Sequence, residues 1–272
     1  RINRKNLFPA PAEKSLVAVN IDTGAVLWKR KPKGIVPMSL TATGGRVLVC
    51  DGARMVCMNL ADGKDLWTSA ELAFPKGKVS RTGRGALTVV MHENIVLCAA
   101  LKSLVALSAE TGATLWTGKS AGSFCSPPDV LVVDGLVWTG ERTKWTSLDP
   151  ATGEVKKQYN KMKIVGYEGG SGAGHPRCYR SKATSRYLLL PWNGSEFLDP
   201  STGNVEQHDW IRGGCQYGHM PANGLLYTPP HACWCFIKGK LNGFYALAPA
   251  KEPSKATGDV SSDTRLEKGP AY

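Results

Sequence analysis

Short apolar runs alternate along the chain with glycine-containing turns, and five of these units repeat one pattern. Each unit has an apolar run, a small polar residue, a glycine four positions later, and then a second, return run. The segments are 16–28 (LVAVNIDTGAVLW), 55–67 (MVCMNLADGKDLW), 104–116 (LVALSAETGATLW), 145–157 (WTSLDPATGEVKK) and 195–207 (SEFLDPSTGNVEQ). Runs of this length and residue type on both sides of a glycine turn predict β-hairpins.

The turn residues have physical reasons for their positions. Asn, Ser or Asp precedes each glycine by four, and these short side chains bond to the turn backbone. The glycines supply the positive φ that such a turn requires. They are Gly24, Gly63, Gly112, Gly153 and Gly203, with spacings of 39, 49, 41 and 50 residues. A period near this length predicts one supersecondary unit used repeatedly.

Further strand candidates lie between the hairpins. They are Arg46–Cys50, Asn94–Ala99, Val130–Trp138, Tyr187–Leu190 and Leu225–Tyr227. Each period then contains about four short strands, as in a propeller blade. No segment has the periodicity of a long amphipathic helix. We therefore predict an all-β fold, a β-propeller of four-stranded antiparallel blades with about five to six blades in this chain.

A tryptophan follows the turn glycine by four positions in the first three units, as Trp28, Trp67 and Trp116. Lys157 and Gln207 take this position in the last two units. We predict that the indoles fill the layer between neighbouring sheets, with each ring N–H donating to a carbonyl. The alternative is that they stack on a bound cofactor.

These repeats resemble those of the PQQ enzyme-like, or quinoprotein-type, β-propellers. The clearest copies are Ala18–Trp28, Cys57–Trp67 and Ala106–Trp116, and divergent copies end near Lys157 and Gln207. The stretch 215–249 is similar to a segment of large planctomycete-type extracytoplasmic proteins with this repeat. The resemblance implies a propeller fold. Its family includes quinone-dependent alcohol dehydrogenases and outer-membrane assembly scaffolds.

The repeats also suggest a domain organisation. We assign residues 1–250 to propeller blades, starting within a blade, and residues 251–272 to a polar linker or surface arm. The five hairpins and the unit at 215–249 make about five and a half blades, whereas closed propellers mostly have four to eight. We expect either an incomplete ring or one completed by further sequence, such as a seven- or eight-bladed propeller.

The chain is basic, with 34 Lys and Arg against 22 Asp and Glu, a net charge of +12. This balance favours polyanionic partners through the overall field. The basic clusters follow hairpins or lie in loops, so they form either one basic face or ordinary solvated loops. We recognise no nucleic-acid-binding module, no membrane span and no signal peptide. Eight cysteines favour an oxidising compartment, periplasmic or otherwise extracytoplasmic.

The cysteines form two groups. Cys50, Cys57, Cys98 and Cys125 lie in ordinary blades, and the first two flank a turn across which they could face each other. The other four lie with three histidines in residues 175–235. Because thiolates and imidazoles suit Zn or Cu, the metal candidates are His175, Cys178, Cys215, His231, Cys233 and Cys235. Disulfides from Cys178 or Cys215 to Cys233 or Cys235, or buried thiols, are the preferred alternative, and a catalytic thiol is a third.

Two functions are compatible with these features. The first is a non-catalytic scaffold or binding module that presents loops to a protein or an anionic glycan. The second is a quinone- or metal-dependent oxidoreductase, with PQQ or with Zn or Cu at the His/Cys group. The resemblance implies, for the dehydrogenases, a disulfide between adjacent cysteines, an acidic base and a Ca²⁺ ligand set. The chain has no Cys-Cys dipeptide and no comparable acidic cluster. We therefore favour the scaffold and predict no catalytic or cofactor-binding residue.

Overall fold

The computed structural model of the chain describes twelve segments. These are residues 14–32, 34–36, 38–72, 74, 86–120, 127–140, 144–160, 179–191, 194–208, 210–215, 217–230 and 243–249. Every helix or strand assigned within them is a β-strand.

The strands form six sheets. Sheet 1 contains β1 (Leu16–Val19) and β2 (Val26–Arg30). Sheet 2 contains β3 (Thr41–Thr43), β4 (Arg46–Cys50), β5 (Met55–Asn59) and β6 (Asp65–Thr68). Sheet 3 contains β7 (Thr88–His92), β8 (Ile95–Ala100), β9 (Ser103–Ser108) and β10 (Thr114–Gly118). Sheet 4 contains β11 (Val130–Val133), β12 (Leu136–Gly140), β13 (Lys144–Leu148) and β14 (Val155–Asn160).

The last two sheets are built in the same way. Sheet 5 contains β15 (Lys182–Ala183), β16 (Leu188–Leu190), β17 (Ser195–Leu198) and β18 (Val205–His208). Sheet 6 contains β19 (Met220–Ala222), β20 (Leu225–Thr228) and β21 (Tyr245–Leu247). Strands that follow each other in a sheet are paired antiparallel, so each sheet is a meander.

The sheets are arranged around a common centre. The first strands of neighbouring sheets contact one another in the order β3, β7, β11, β15 and β19. The fourth strands therefore lie farthest from this centre, at the rim. This arrangement confirms the predicted all-β propeller of four-stranded antiparallel blades.

One strand candidate needs correction. The run Val130–Trp138 is not a single strand, because Asp134 and Gly135 form a turn between β11 and β12 with φ values of 50° and 68°. Asp tolerates positive φ better than most residues, and glycine does so freely. The apolar run therefore contains a tight hairpin that apolar content alone did not reveal.

The middle strands of the central blades are buried on both faces. In β4, Leu48 and Cys50 pack with residues of sheet 3, and Val47 and Val49 pack against sheet 1. Successive side chains of a strand point to opposite faces, so each blade contributes to two apolar layers. This explains why the sequence of β4 is continuously apolar after Arg46 instead of alternating.

The five predicted turns have the expected hydrogen bonds. The side-chain oxygen four residues before each glycine accepts from the backbone N–H two residues further on. These acceptors are Asn20, Asn59, Ser108, Asp149 and Asp199. The turn glycines have φ between 71° and 80°. The turn assignment is confirmed.

The three tryptophans join neighbouring blades, as predicted. Each ring N–H donates to a carbonyl of the next sheet at 2.8 Å: Trp28 to Leu60, Trp67 to Ala109 and Trp116 to Pro150. Each ring also lies directly over the turn glycine of that sheet. A Cβ on Gly63, for example, would be 2.7 Å from the Trp28 ring. The glycine is therefore required twice, for positive φ and for space.

Sheet 4 makes the same contact with a residue that the sequence analysis missed. The Tyr159 hydroxyl donates to the Pro200 carbonyl at 3.0 Å, and a Cβ on Gly203 would be 2.7 Å from the Tyr159 ring. Lys157, at the position of tryptophan in the other units, donates to the same carbonyl at 3.2 Å. Tyr159 is two residues further along the strand, so it projects from the same face as Lys157.

Cys50 and Cys57 lie in the same apolar layer but are not directly opposite each other across their turn. In the hairpin register Cys50 lies opposite Met55, and Cys57 lies opposite Leu48. Both thiols, and that of Cys98, are free and buried in the layer between sheets 2 and 3. Burial raises the pKa of all three thiols, so they behave as small apolar side chains.

The contact between blades can be tested at Trp67, whose side chain is buried. Trp67→Phe should lower the free energy of unfolding by about 1–2 kcal/mol, because it keeps most of the ring packing but loses the bond to Ala109. Trp67→Ala should cost about 3–5 kcal/mol, because it leaves a cavity. Urea unfolding measures both. The half-exposed Trp210 provides the control, since Trp210→Ala should change stability by no more than about 0.5 kcal/mol. Equal losses in Trp67→Ala and Trp210→Ala would contradict the assignment.

Candidate functional site

Most of the predicted metal candidates lie outside the described residues. These are His175, Cys178, His231, Cys233 and Cys235. Cys215 is described, and it lies half-buried in a tight turn closed by pairing between Gly214 and Gly218. Within the described part of the chain, no group of three or more His, Cys, Asp or Glu side chains could hold a metal. The metal and disulfide interpretations of these six residues therefore stay predictions.

A buried histidine that belongs to the same sequence group has a defined environment. The His219 ring lies between sheets 5 and 6 and is 2% exposed. Its Nε2 is 2.7 Å from the Ser195 hydroxyl and 3.1 Å from the Tyr179 hydroxyl. Its Nδ1 is 3.2 Å from the Thr228 hydroxyl. One ring thus connects polar groups from two blades.

The hydrogen bonds determine which ring nitrogen bears the proton. The backbone N–H of Gly213 donates to His219 Nε2 at 3.2 Å, so this nitrogen is an acceptor. In the neutral ring Nδ1 then bears the proton and donates to Thr228. The Tyr179 hydroxyl can donate to the Gly194 carbonyl at 3.0 Å. These polar groups satisfy one another, as buried polar groups generally must.

The contact between Ser195 and His219 has the distance of a nucleophile and its general base. Both side chains are nevertheless almost completely buried, at 1% and 2% exposure. The His219 ring also packs edge-on against Tyr179, with ring centroids 5.4 Å apart. A nucleophile must reach its substrate, so this arrangement supports a structural link between blades instead of a hydrolytic site.

A second polar cluster lies where the first strands of sheets 3, 4 and 5 begin. We call Thr88, Asp129, Arg180 and Lys182 the inner-strand cluster. Arg180 donates to the Thr88 hydroxyl at 2.8 Å, and its Nε is 3.6 Å from an Asp129 carboxylate oxygen. The other Asp129 oxygen accepts from the Ser181 backbone N–H at 3.2 Å. Residues that are distant in sequence are thereby tied together near the propeller axis.

The cluster has two cationic side chains and one carboxylate. Burial lowers the pKa of Lys182, and the neighbouring Arg180 adds to this, whereas Asp129 opposes it. The charged lysine is therefore less favourable in the folded protein than in the unfolded chain. This local excess of positive charge would attract anionic groups, although Arg180 and Asp129 already neutralise each other.

Several other described basic residues are engaged within the protein. Arg30 pairs with Asp65, and Lys156 lies 3.6 Å from Asp149. The Arg186 guanidinium lies over the Tyr187 ring. Exposed pairs of this kind contribute little to stability, but they reduce the charge available to a partner.

The quinone site implied by the resemblance does not fit the described residues. The sequence has no adjacent cysteines, so the disulfide associated with the quinone cannot form. A Ca²⁺ ion needs several oxygen ligands, and the described residues bring no three acidic side chains together. Asp129, at the centre of the propeller, is already paired with Arg180. We therefore assign no chemical step to a quinone in this chain.

The contacts of the inner-strand cluster predict different effects on stability when its two cationic residues, Arg180 and Lys182, are replaced. Arg180→Met should lower the free energy of unfolding by about 1–3 kcal/mol, because Asp129 and Thr88 lose their charged partner. Lys182→Met should leave stability unchanged or raise it by up to about 1 kcal/mol, because a desolvated charge is removed. Thermal unfolding of the two matched variants measures the difference. Destabilisation of the same size in both would contradict the assigned pairing.

The described residues contain no helix that is long and apolar enough to cross a membrane. No curated protein sequence matches the chain.

The fold is similar to several solved structures. BamB from Moraxella catarrhalis shares 13% identity at a TM-score of 0.54, over 80% of this chain and 64% of that one. Quinohemoprotein alcohol dehydrogenase from Comamonas testosteroni shares 15% identity at a TM-score of 0.52, over 80% of this chain and 48% of the dehydrogenase. A europium-containing methanol dehydrogenase shares 12% identity at a TM-score of 0.55, over 86% of this chain and 62% of that dehydrogenase.

These low identities show a common fold and nothing more specific. The chain spans less than two thirds of the length of each of the three structures. Sequence comparison with protein families is more specific. The model of one family, described as outer membrane protein assembly factor BamB, matches residues 6–163, which is more than half of the chain. The chain therefore belongs to this family of PQQ-type β-propellers.

Proposed function

We propose that this protein is a non-catalytic scaffold that binds another protein in an extracytoplasmic compartment. Membership of a family described as an outer membrane protein assembly factor supports both the role and the location. The similarity to BamB is consistent with the same role. The dehydrogenases share the fold, but the described residues do not supply the site that their chemistry would need.

One observation supports a protein partner most directly. The last strand of sheet 1 and the fourth strands of sheets 2 and 3 each expose a leucine immediately before the tryptophan that joins the blades. We call Leu27, Leu66 and Leu115 the rim leucines, and they are 54%, 49% and 47% exposed. Single exposed leucines are common on protein surfaces, but these three occupy the same position in successive repeats. They therefore form an apolar row spaced by the blade repeat.

The backbone at the rim adds to this surface. Strands β2, β6 and β10 are the last strands of their sheets, so their outer edges pair with no other described strand. An open edge offers N–H and C=O groups to an extended segment of another protein. Apolar side chains beside an open edge suit a polypeptide partner better than an anionic glycan. A glycan would need free cations, and described basic residues such as Arg30, Lys64 and Lys156 are already paired.

The rim leucines allow a direct test. The triple variant Leu27→Thr, Leu66→Thr and Leu115→Thr removes the apolar row but keeps residues that favour strands. We expect its thermal stability to remain close to that of the wild type, because the three side chains are half-exposed. Its affinity for the partner should fall at least about tenfold, which corresponds to about 1.4 kcal/mol. The partner is first identified by crosslinking in the native cell envelope, and affinity is then measured with both purified proteins.

The control is Leu40→Thr, because Leu40 is also 54% exposed but precedes β3, an innermost strand. It should bind like the wild type. Equal binding by the wild type and the triple variant would exclude the rim as the binding surface. Stoichiometric quinone or metal in the purified protein would instead support the oxidoreductase alternative. Salt-sensitive binding to an immobilised anionic polysaccharide would support a glycan partner.

A further inference from the structure

The lysine of the inner-strand cluster lies between two blades. Lys182 is the first residue of β15, the innermost strand of sheet 5, and it is half-buried. Its neighbour Ala183 packs into the apolar layer between sheets 4 and 5. Successive side chains of a strand point to opposite faces, so Lys182 points towards sheet 6, whose first strand contacts β15.

The side chains beside Lys182 are apolar. In the strand register Lys182 lies opposite Leu189, and Leu189 lies opposite Phe197. Residues directly opposite in antiparallel strands have Cβ atoms about 4.5–5.5 Å apart on the same face. Leu189 is 2% exposed. The lysine side chain therefore extends along buried apolar groups, and its charged form loses part of its hydration.

This loss of hydration is not compensated by a direct partner. Within the segments that the structure describes, Lys182 has neither an ion pair nor a hydrogen bond. Asp129 attracts it, but one carboxylate oxygen of Asp129 pairs with Arg180 Nε at 3.6 Å and the other accepts from the Ser181 backbone N–H at 3.2 Å. A half-buried cation without a partner is unfavourable, and loss of its proton removes this cost.

A second cation lies two residues earlier in the chain and is fixed there. Arg180 donates to the Thr88 hydroxyl at 2.8 Å and to the Pro128 carbonyl at 3.4 Å, so the start of two other sheets holds its guanidinium in place. Its positive charge therefore persistently opposes protonation of Lys182. Burial and then Arg180 lower the pKa of Lys182, and Asp129 opposes them.

Two other titratable side chains, Tyr179 and His219, lie in the layer between sheets 5 and 6. They contact each other at 3.1 Å, and His219 also contacts Ser195 and Thr228. In their neutral forms they bring no negative charge to this layer. The contacts around Lys182 thus favour a neutral amine.

We propose that the Lys182 amine forms a Schiff base with a small aldehyde at the axis of the propeller. Desolvation and a neighbouring cation are the two features that activate a lysine as a nucleophile. The amine nitrogen attacks the carbonyl carbon, a C=N bond replaces the C=O bond, and the oxygen leaves as water. The step needs no oxidant, reductant or metal. An aldehyde suits the site better than a keto acid, because the guanidinium that would bind a carboxylate is already paired with Asp129.

This site is distinct from the surface assigned to the protein partner. Lys182 lies on an innermost strand, whereas the rim leucines lie on the last strands of their sheets. The proposal therefore goes beyond the proposed function and does not depend on it. Binding of an aldehyde here is also compatible with a scaffold, because a Schiff base can form without any turnover of the ligand.

Reductive trapping tests the proposal. The protein, at the full length that the cell produces, is incubated at neutral pH with propionaldehyde and sodium cyanoborohydride, which reduces a Schiff base to a stable secondary amine. Peptide mass spectrometry then gives the rate of modification at each lysine. Lys182 should be modified at least about twofold faster than Lys119, although Lys119 is the more exposed of the two.

Three variants separate reactivity from exposure. Arg180→Met removes the neighbouring cation and frees Asp129 to pair with Lys182, so the rate at Lys182 should fall to that of Lys119 or below. Lys182→Met should remove the fastest site and leave the rate at Lys119 unchanged. If Arg180→Met does not fold, Asp129→Asn replaces it and should accelerate modification of Lys182, because the opposing carboxylate is lost.

Two results would overturn the proposal. The first is modification of Lys182 in the wild type at the same rate as Lys119, or more slowly. The second is an unchanged rate at Lys182 in folded Arg180→Met, because its reactivity would then not arise from the inner-strand cluster. Circular dichroism verifies that each variant is folded before its rates are compared.

Discussion

An aromatic ring placed over a glycine with positive φ is the contact on which this architecture depends. The ring belongs to the fourth strand of one blade, and the glycine belongs to the turn of the next. The ring fills the space that a side chain would occupy and donates one hydrogen bond to a carbonyl of the same turn, as Trp67 does to Ala109. Each blade therefore needs its neighbour to cover its turn. Stability in such an array is largely a sum of contacts between adjacent repeats.

The sequence predicted this contact well where all the determinants are local. Within nine positions, each of the first three hairpins carries the turn glycine of one contact and the tryptophan of the next, so a local pattern marks both halves. The sequence analysis did not predict the contact made by Tyr159. In sheet 4 a lysine, Lys157, occupies the position of the tryptophan, and the aromatic residue lies two positions later. Side chains two residues apart on a strand point to the same face. An aromatic residue two positions after the expected tryptophan position was therefore the signal that could have identified Tyr159. The register of Cys50 and Cys57 was not predictable in the same way, because it depends on the exact length of the turn between them.

The polar sites were harder to predict than the repeats. His219 lies 24 residues from Ser195 and 40 from Tyr179, and no local pattern connects them. Arg180 contacts Thr88 across 92 residues. Such contacts arise because the propeller brings corresponding positions of different blades together at its axis. Charge and residue type along the chain indicated that chemistry could lie near residues 175–235, but only the fold shows that His219 joins two blades.

The same contact explains how a scaffold of this kind can keep a binding surface while burying its aromatic residues. On β2, β6 and β10 the strand register skips the residue just before the tryptophan, so this neighbour of the ring lies in a β-bulge while the ring covers the next blade. In three successive blades that neighbour is a leucine, and it remains half-exposed. The interior contact thus sets the spacing of the exposed residues. A partner that binds along the rim would meet a regular surface whose geometry is determined by the packing between blades, and the loops need not contribute to it.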